Sequence, residues 1–355
     1  MKKRATVRDV AAEAGVSPAT AARALSGNAS VDPVLARRVA AASQRLGYTT
    51  NVMARALRTQ QTGTIGVVVP SITNPFFVSA VEALEGVLAR SNRSLVLCDA
   101  RNSALTEAER IEFLVSRMVD GLVVIPVSRR DSRQALNLAA AHGPVVQFDR
   151  YAPSTNTDFV GADNAEGVRQ MVEHVQALGA RTMAYVGAQP TSSSAAERLD
   201  AFRGLAGSPS GDRRMEFLDD FTTEWGRTAG EHLLADGPLP DAIVCGADLI
   251  AVGLLSVLQD AKVKVPADVK IVSYDDSMMG LITSPRLTSV RQPVELMAEE
   301  AIRLLGDRPD GEPRPSRKSI FSPTLVIRES TATASSRPSR TEHSDRAAPH
   351  PAAIP

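Results

Sequence analysis

The sequence predicts an α/β protein in two parts: a small all-α helix-turn-helix headpiece, then a two-lobed body built on two doubly wound parallel sheets. Three observations carry this. Residues 6–46 hold three short helical periods punctuated by glycine. From residue 63 onward, apolar β-branched runs alternate with amphipathic stretches. The runs are too many for one sheet and its covering helices, so two lobes are the simpler arrangement.

In order along the chain, Thr6 is placed to cap the first helix, with Val7, Val10, Ala11 and Ala14 on one face and Gly15 as its stop. Ser17 caps the second. Pro18 takes that helix's first position, where a missing N–H leaves nothing unsatisfied, and Leu25 closes the apolar face. The third helix starts near Asp32-Pro33 and runs through Leu35, Val39 and Leu46 to Gly47. Residues 48–62 are polar, with one short amphipathic run, and read as a linker. The apolar runs that follow are 65–69, 95–97, 121–125, 145–148, 183–186, 242–244 and 269–273. Runs without polar alternation belong to strands covered on both faces, and doubly wound sheets bind ligands at the carboxyl ends of such strands. Polar residues cluster at those ends. Beyond about residue 330 the chain is rich in Ser, Thr, Ala, Pro and Arg without periodicity, the composition of a disordered tail.

A chain of 355 residues with 43% hydrophobic content suits two or three folding units. Its formal net charge is zero but unevenly spread. The first sixty residues hold ten basic side chains (Lys2, Lys3, Arg4, Arg8, Arg23, Arg37, Arg38, Arg45, Arg55 and Arg58) against Asp9, Glu13 and Asp32. A formal +7 there faces −7 on the rest, the asymmetry of a protein that meets nucleic acid or a membrane surface. Cys98 and Cys245 lie far apart in apolar runs, so buried free thiols are expected rather than a disulfide framework or zinc site. Behind Met1-Lys2-Lys3-Arg4 no apolar segment follows, because Arg8, Asp9 and Glu13 interrupt it. No window approaches the ~18 apolar residues of a membrane span. A cytoplasmic protein is the expectation.

Catalytic signatures are missing: no G-x-G-x-x-G, Walker loop, H-E-x-x-H or G-x-S-x-G. His142, His174, His232, His343 and His350 are scattered singly. The paired carboxylates Asp219-Asp220 and Asp275-Asp276 would serve acid–base chemistry, but such pairs more often make turns and caps. Neither catalysis, nor a cofactor, nor a metal is expected.

The stretch Thr6-Val7-Arg8-Asp9-Val10-Ala11, followed by Ala14-Gly15-Val16-Ser17-Pro18-Ala19-Thr20-Ala21-Ala22-Arg23-Ala24-Leu25, resembles the amino-terminal headpiece of the LacI/GalR family of bacterial regulators. The resemblance implies that the helix opened by Ser17 lies in the major groove of double-stranded operator DNA. Pro18, Ala19 and Arg23 then face bases, and an arginine paired with guanine contributes ~1–3 kcal/mol of discrimination. Thr6, Ser17, Thr20 and Asn28 are assigned to phosphates. Where the family commonly has Val-Ser this chain has Ala21-Ala22, which removes one hydroxyl contact. Residues 48–58 are similar to the family's hinge helix: Asn51 opens it, Leu57 is the apolar wedge for the minor groove, and Arg55 and Arg58 flank it. Thr50 stands where the family usually has proline.

The body resembles the family from Thr64-Ile65-Gly66 to Leu325-Val326-Ile327-Arg328-Glu329-Ser330, and the family's fold there is that of periplasmic sugar-binding proteins. The implied layout is a headpiece at 1–47, a hinge at 48–62, an effector-binding and dimerisation domain at 63–329 and a tail at 330–355. Within the third, one lobe takes about 63–161 plus 292–320, the other about 162–290 plus 321–329. The polar set looks most like the pentose (ribose-type) binders. Asn74 bonds a hydroxyl, Phe76 and Phe77 sandwich a ring, and Asp149, Arg150, Arg198, Asp275 and Gln292 hold further hydroxyls, with Phe221 as another aromatic wall. Carboxylates that accept from two hydroxyls, arginines that donate in a fixed fork and aromatic faces over C–H surface suit a polyol. Ala247 stands where the family often has Asn or Asp, so a hexose, a sugar alcohol or a purine stays open as the alternative.

The resulting expectation is a ligand-responsive DNA-binding regulator that acts as a repressor. It binds a palindromic operator as a homodimer, and a small sugar-like effector shifts its DNA affinity by closing the lobes. The rival classes are a sugar-acting enzyme and a transport-type binding protein; the basic head and the absence of a signal peptide weigh against the second.

Overall fold

The computed structural model describes residues 5–25, 31–48, 61–205, 215–307 and 315–332. Asn28, Asn51, Arg55, Leu57, Arg58 and the tail from residue 333 lie outside these.

Three helices form the amino-terminal unit: α1 (Val7–Ala14), α2 (Pro18–Leu25) and α3 (Pro33–Arg45). Thr6 starts α1 through a reciprocal cap. Its backbone N–H donates to the Asp9 carboxylate at 2.8 Å, and its hydroxyl accepts from the Asp9 N–H at 3.4 Å. Gly15 ends the helix at φ 63°, a left-handed conformation that needs glycine, and an added Cβ would meet Arg38 Nη2 at 2.8 Å. That arginine reaches back to donate to Ala14 O at 2.7 Å and ties α3 to the end of α1. Ser17 accepts from the Thr20 N–H at 3.1 Å, and Asp32 from Val34 N–H at 2.7 Å, so both later helices begin on capped turns. The core is Val10, Ala11, Ala14, Ala21, Val39 and Ala42, with Val7, Val16, Leu25 and Tyr48 against it. Leu46, expected on the apolar face of α3, is instead its exposed cap residue. Tyr48, after Gly47, packs on the core instead.

The larger unit holds two six-stranded sheets. The first has the order β11-β5-β4-β3-β1-β2, from β1 (Thr64–Val69), β2 (Ser94–Asp99), β3 (Gly121–Val124), β4 (Val145–Phe148), β5 (Asp158–Ala162) and β11 (Lys318–Phe321). The second runs β12-β10-β9-β8-β6-β7, from β6 (Met183–Ala188), β7 (Met215–Asp219), β8 (Ala242–Cys245), β9 (Lys270–Asp275), β10 (Thr288–Arg291) and β12 (Thr324–Val326). Parallel pairing dominates; β12 lies antiparallel on β10. The expected α/β class with two doubly wound sheets is therefore what the chain forms. The edge strands β2, β7, β11 and β12 depart from the pattern of full cover; of the runs expected to be covered, β2 has Val96 and Leu97 exposed.

Helices α4 (Pro75–Arg90) and α12 (Val294–Gly306) pack on each other and on the first sheet, where Phe76, Phe77, Leu84, Phe148 and Met297 join one core. On the second sheet, α7 (Asn164–Ala177) and α8 (Ser193–Leu205) cover one face, α9 (Thr223–Ala235) and α10 (Asp248–Asp260) the other. The last two touch backbone to backbone. A Cβ on Gly226 would sit 2.1 Å from Ile250 O, and one on Gly253 1.9 Å from Thr223 O. Glycine at both positions thus permits this close approach of α9 and α10. The remaining helices are α5 (Ala104–Ser116), α6 (Arg133–Ala140) and α11 (Met278–Ile282). The chain crosses between sheets three times: after β5, after β10 and after β11.

Candidate functional site

The carboxyl ends of the two sheets supply a shared set of polar side chains. Asn74, Phe76, Phe77, Asp149, Arg150, Arg198, Phe221 and Asp275, all anticipated from the sequence, line one small pit together with Ser194. Gln292, in the second crossing, donates to Asp275 Oδ1 at 3.1 Å. Asp149 follows β4 with φ 60° and Asp275 closes β9 with φ 108°. Left-handed conformations of this kind are uncommon outside glycine and cluster where a site over-determines them.

Arg198 is held rather than free to fork onto a ligand. Its Nε donates to Asn164 Oδ1 and its Nη1 to Gly246 O, each at 2.8 Å, and its guanidinium lies 3.6 Å from the centroid of Tyr274. Asp275 Oδ1 is 3.7 Å from the same Nη1. Burial raises the Asp275 carboxyl to about 8 even with that cation beside it, and raises Asp149 too against the pull of Arg150 and Arg198. Asp248, also raised by burial, accepts from the hydroxyls of Ser273 and Ser289 and from Ser277 N–H, and so fixes the ends of β9 and β10 beneath the site.

Two expected roles change. Phe76 and Phe77 do not sandwich a ring: neighbours on one helical turn, they touch edge to face at 65° with centroids 5.6 Å apart, which leaves no slot between them. The facing pair is Phe77 and Phe221, and the guanidinium of Arg150 sits between them, 5.1 Å from each centroid. Asn74 spends its Oδ1 on the Phe76 N–H at 3.0 Å, capping α4, so only its amide nitrogen could serve a ligand.

With Arg150 in that slot the pit measures about 10 Å³, room for a single water. Three buried polar atoms around it make no hydrogen bond among the described residues: Asp149 Oδ1, Gln292 Oε1 and Arg150 Nε, the last 3.7 Å from Asp149 Oδ2. Leaving such groups unpaired is costly in a finished interior, and a cluster of them marks a place prepared for something else. Sequence reasoning missed Asn164 and Tyr274. Asn164 follows β5, a strand too short and too interrupted by Asp158 and Gly161 to be read as one. Tyr274 falls just past the apolar run 269–273, so nothing in the pattern marks it.

On the headpiece, Ser17, Pro18, Ala19 and Arg23 are exposed on α2, whereas Ala21 is fully buried. The hydroxyls of Ser17 and Thr20 bond each other at 2.9 Å, and that of Thr6 is bound to Asp9. Ala21 is thus a core residue, and of the Ala21-Ala22 departure only Ala22 bears on the surface. No helix among the described residues is long and apolar enough to cross a membrane.

This architecture, a capped three-helix unit and a pair of doubly wound sheets whose strand ends share one polar pit, agrees with the comparisons. Residues 6–51 match the bacterial regulatory proteins of the lacI family, and residues 172–331 match the periplasmic binding protein-like domain. An HTH-type transcriptional regulator in the aml 5′ region of Streptomyces limosus is 34% identical over 333 residues, covering 91% of this chain and 93% of that one. The structure of a transcriptional regulator CelR–cellobiose complex is 32% identical, with a TM-score of 0.68 over 92% of this chain and all of that one (100%). A lac repressor dimer bound to operator and an anti-inducer shares the fold at a TM-score of 0.82 and 24% identity, over 93% of this chain and 100% of that one. The chain belongs to the lacI family of transcriptional regulators.

Proposed function

We propose that this chain is a repressor that binds a palindromic operator as a homodimer and senses a small sugar at the pit between the two sheets. The layout is that of the sequence reading: residues 1–47 engage DNA, 48–62 connect, and 63–329 sense and dimerise. The observation that carries the sugar reading is the unpaired set itself. Asp149 Oδ1 and Gln292 Oε1 need donors, Arg150 Nε needs an acceptor, and aromatic rings flank the gap. A hydroxyl both donates and accepts, and a sugar ring carries several around an apolar C–H face. A pentose-like ring that takes the place of the Arg150 guanidinium between Phe77 and Phe221 meets all of these.

Because the pit is lined from both sheets, a ring bound there favours one lobe arrangement over another, and any effect on DNA equals its differential affinity for the two. Exposed Val96, Leu97 and Leu105 by the first sheet, and Met278, Leu281 and Ile282 by the second, supply apolar surface for a second copy. At the headpiece, exposed Pro18, Ala19 and Arg23 supply the groove-facing side of α2.

The test is a thermal-shift screen with pentoses, hexoses, polyols and purines, with and without duplex from the chain's own upstream region. A sugar that raises the midpoint in the parent but not in Asp149→Ala or Asp275→Ala supports the pit. A purine as the sole hit would replace the sugar, and equal affinity for upstream and random duplex would remove the regulator reading.

A further inference from the structure

A cavity of about 570 Å³ is formed by the segments that follow β3, β4 and β6, and it shares no lining residue with the pit. Arg129, Arg130, Arg133 and Pro153 line it from the first lobe, Pro190 and Thr191 from the second. The three arginines are exposed, and none of them forms an ion pair among the described residues. Arg203 and Arg303, equally exposed, each meet a glutamate at 2.7 Å. The one carboxylate within the basic stretch, Asp131, accepts from the Ser128 hydroxyl at 2.8 Å instead of facing a guanidinium. Residues 129–133 thus carry a formal +2 on a body whose charge is otherwise negative.

The backbone under these arginines is held from beneath. Glu107 of α5, fully buried, accepts from the Val127 N–H at 2.7 Å and from the Ser132 hydroxyl. Ser132 Oγ accepts in turn from the Ser128 N–H at 3.1 Å, and Ser128 Oγ from the N–H groups of Arg130 and Asp131 at 3.2 and 3.1 Å. The second lobe adds a bond of its own: the Arg129 N–H donates to Thr191 O at 2.9 Å. A volume of this size lies within the range of sites for a whole small molecule. Arginines closely spaced on a fixed backbone can chelate phosphate or carboxylate oxygens through charge-assisted bonds, and an anion of several charges relieves their mutual repulsion. We propose that this cavity is a second ligand site, separate from the sugar pit, for a small anion that carries two or more phosphate or carboxylate groups. Because its walls belong to both lobes, occupancy bears on their arrangement.

The experiment is titration calorimetry of the full chain at an ionic strength of about 0.15 M, where weak surface attraction is screened. The probes are inorganic phosphate, pyrophosphate and citrate, which separate one anionic group from several and phosphate from carboxylate. Pyrophosphate or citrate should bind about ten-fold or more tightly than inorganic phosphate, and Arg130→Gln with Arg133→Gln should remove that advantage. The thermal midpoint should not move, because both side chains are exposed. Arg130→Lys with Arg133→Lys, which keeps the charge but not the planar fork, should restore part of the affinity. Equal binding of all three anions, or none, overturns the site. So does tight binding that survives the double glutamine variant, or that disappears instead with Arg23→Gln on the headpiece or Asp149→Ala in the pit.

Discussion

Arg150 stacks on Phe221, its guanidinium carbon 5.1 Å from the ring centroid, although the two residues belong to strand ends of different sheets. The contact spans the cleft and draws on the attraction between a cation and an aromatic face, which strengthens as water is excluded. It also occupies the place proposed for the sugar ring, so ligand and arginine compete for one aromatic face.

Phe221→Ala should therefore weaken sugar binding about ten-fold, the scale of a lost aromatic face, with little change in thermal midpoint because this side chain is only half-buried. Phe76→Ala should do the reverse. That side chain is buried in the first sheet's core, and its loss should destabilise the chain by about 3–5 kcal/mol. Parallel melting and calorimetry on the two variants separate the roles, and an unchanged Phe221→Ala affinity would contradict the stacking.

Asp275 gives a pH signature. Burial holds its carboxyl at about 8, whereas an unfolded aspartate titrates near ~3.9. Between those values the folded chain keeps a proton that the unfolded chain has lost, so this group lowers stability as pH rises through the window. A sugar hydroxyl donating to the carboxylate favours the charged form, and binding should release a proton. Calorimetry at pH 7 in buffers of different ionisation enthalpy should show that release, and Asp275→Asn should abolish it. Heats independent of buffer would count against a direct contact.

Gly253→Ala probes the packing of α9 on α10. A methyl there meets Thr223 O at 1.9 Å, inside any tolerable contact, so α9 must shift or the helix pair must part. Destabilisation of about 1–3 kcal/mol is expected in thermal or denaturant melting. A variant as stable as the parent would show that the two helices separate at no cost.

At the headpiece, Arg23→Ala should cut the preference for upstream over random duplex by roughly ten- to a hundred-fold while leaving most of the salt dependence intact. Parent binding should itself fall steeply with salt in proportion to the phosphates neutralised. Shift assays at several ionic strengths measure both, and equal losses on specific and random duplex would place Arg23 on the backbone rather than on a base.

Much of this was legible because apolar strands and capped helices announce themselves. β1 from Ile65 onward, β3 and β8 are unbroken apolar runs, and Thr6, Ser17 and Asp32 cap where their residue types predict. What stayed hidden was polar and buried at once. β10 begins Thr288-Ser289, both fully buried, because Thr288 is bonded to the backbone at Arg328 and Ser289 to Asp248. No periodicity signals a hydroxyl whose partner lies forty residues away. In the pit the residue types were readable, but the orientation of adjacent rings was not. The pattern Phe76-Phe77 shows two aromatics, and only helix geometry decides that they meet edge to face while Phe221, from the other sheet, supplies the opposing wall.

The antiparallel strand β12 has a consequence beyond closing the topology. Laid along β10, with Ser330 donating to Ile271 O behind it, it covers hydrogen-bonding groups that would otherwise form a bare sheet margin. An uncovered margin invites cross-chain strand addition and, from there, insoluble polymers. The segment from Thr324 to Ser330 thus works as a selvedge: it moves the margin of the sheet outward to a strand of three residues, a short template for another chain.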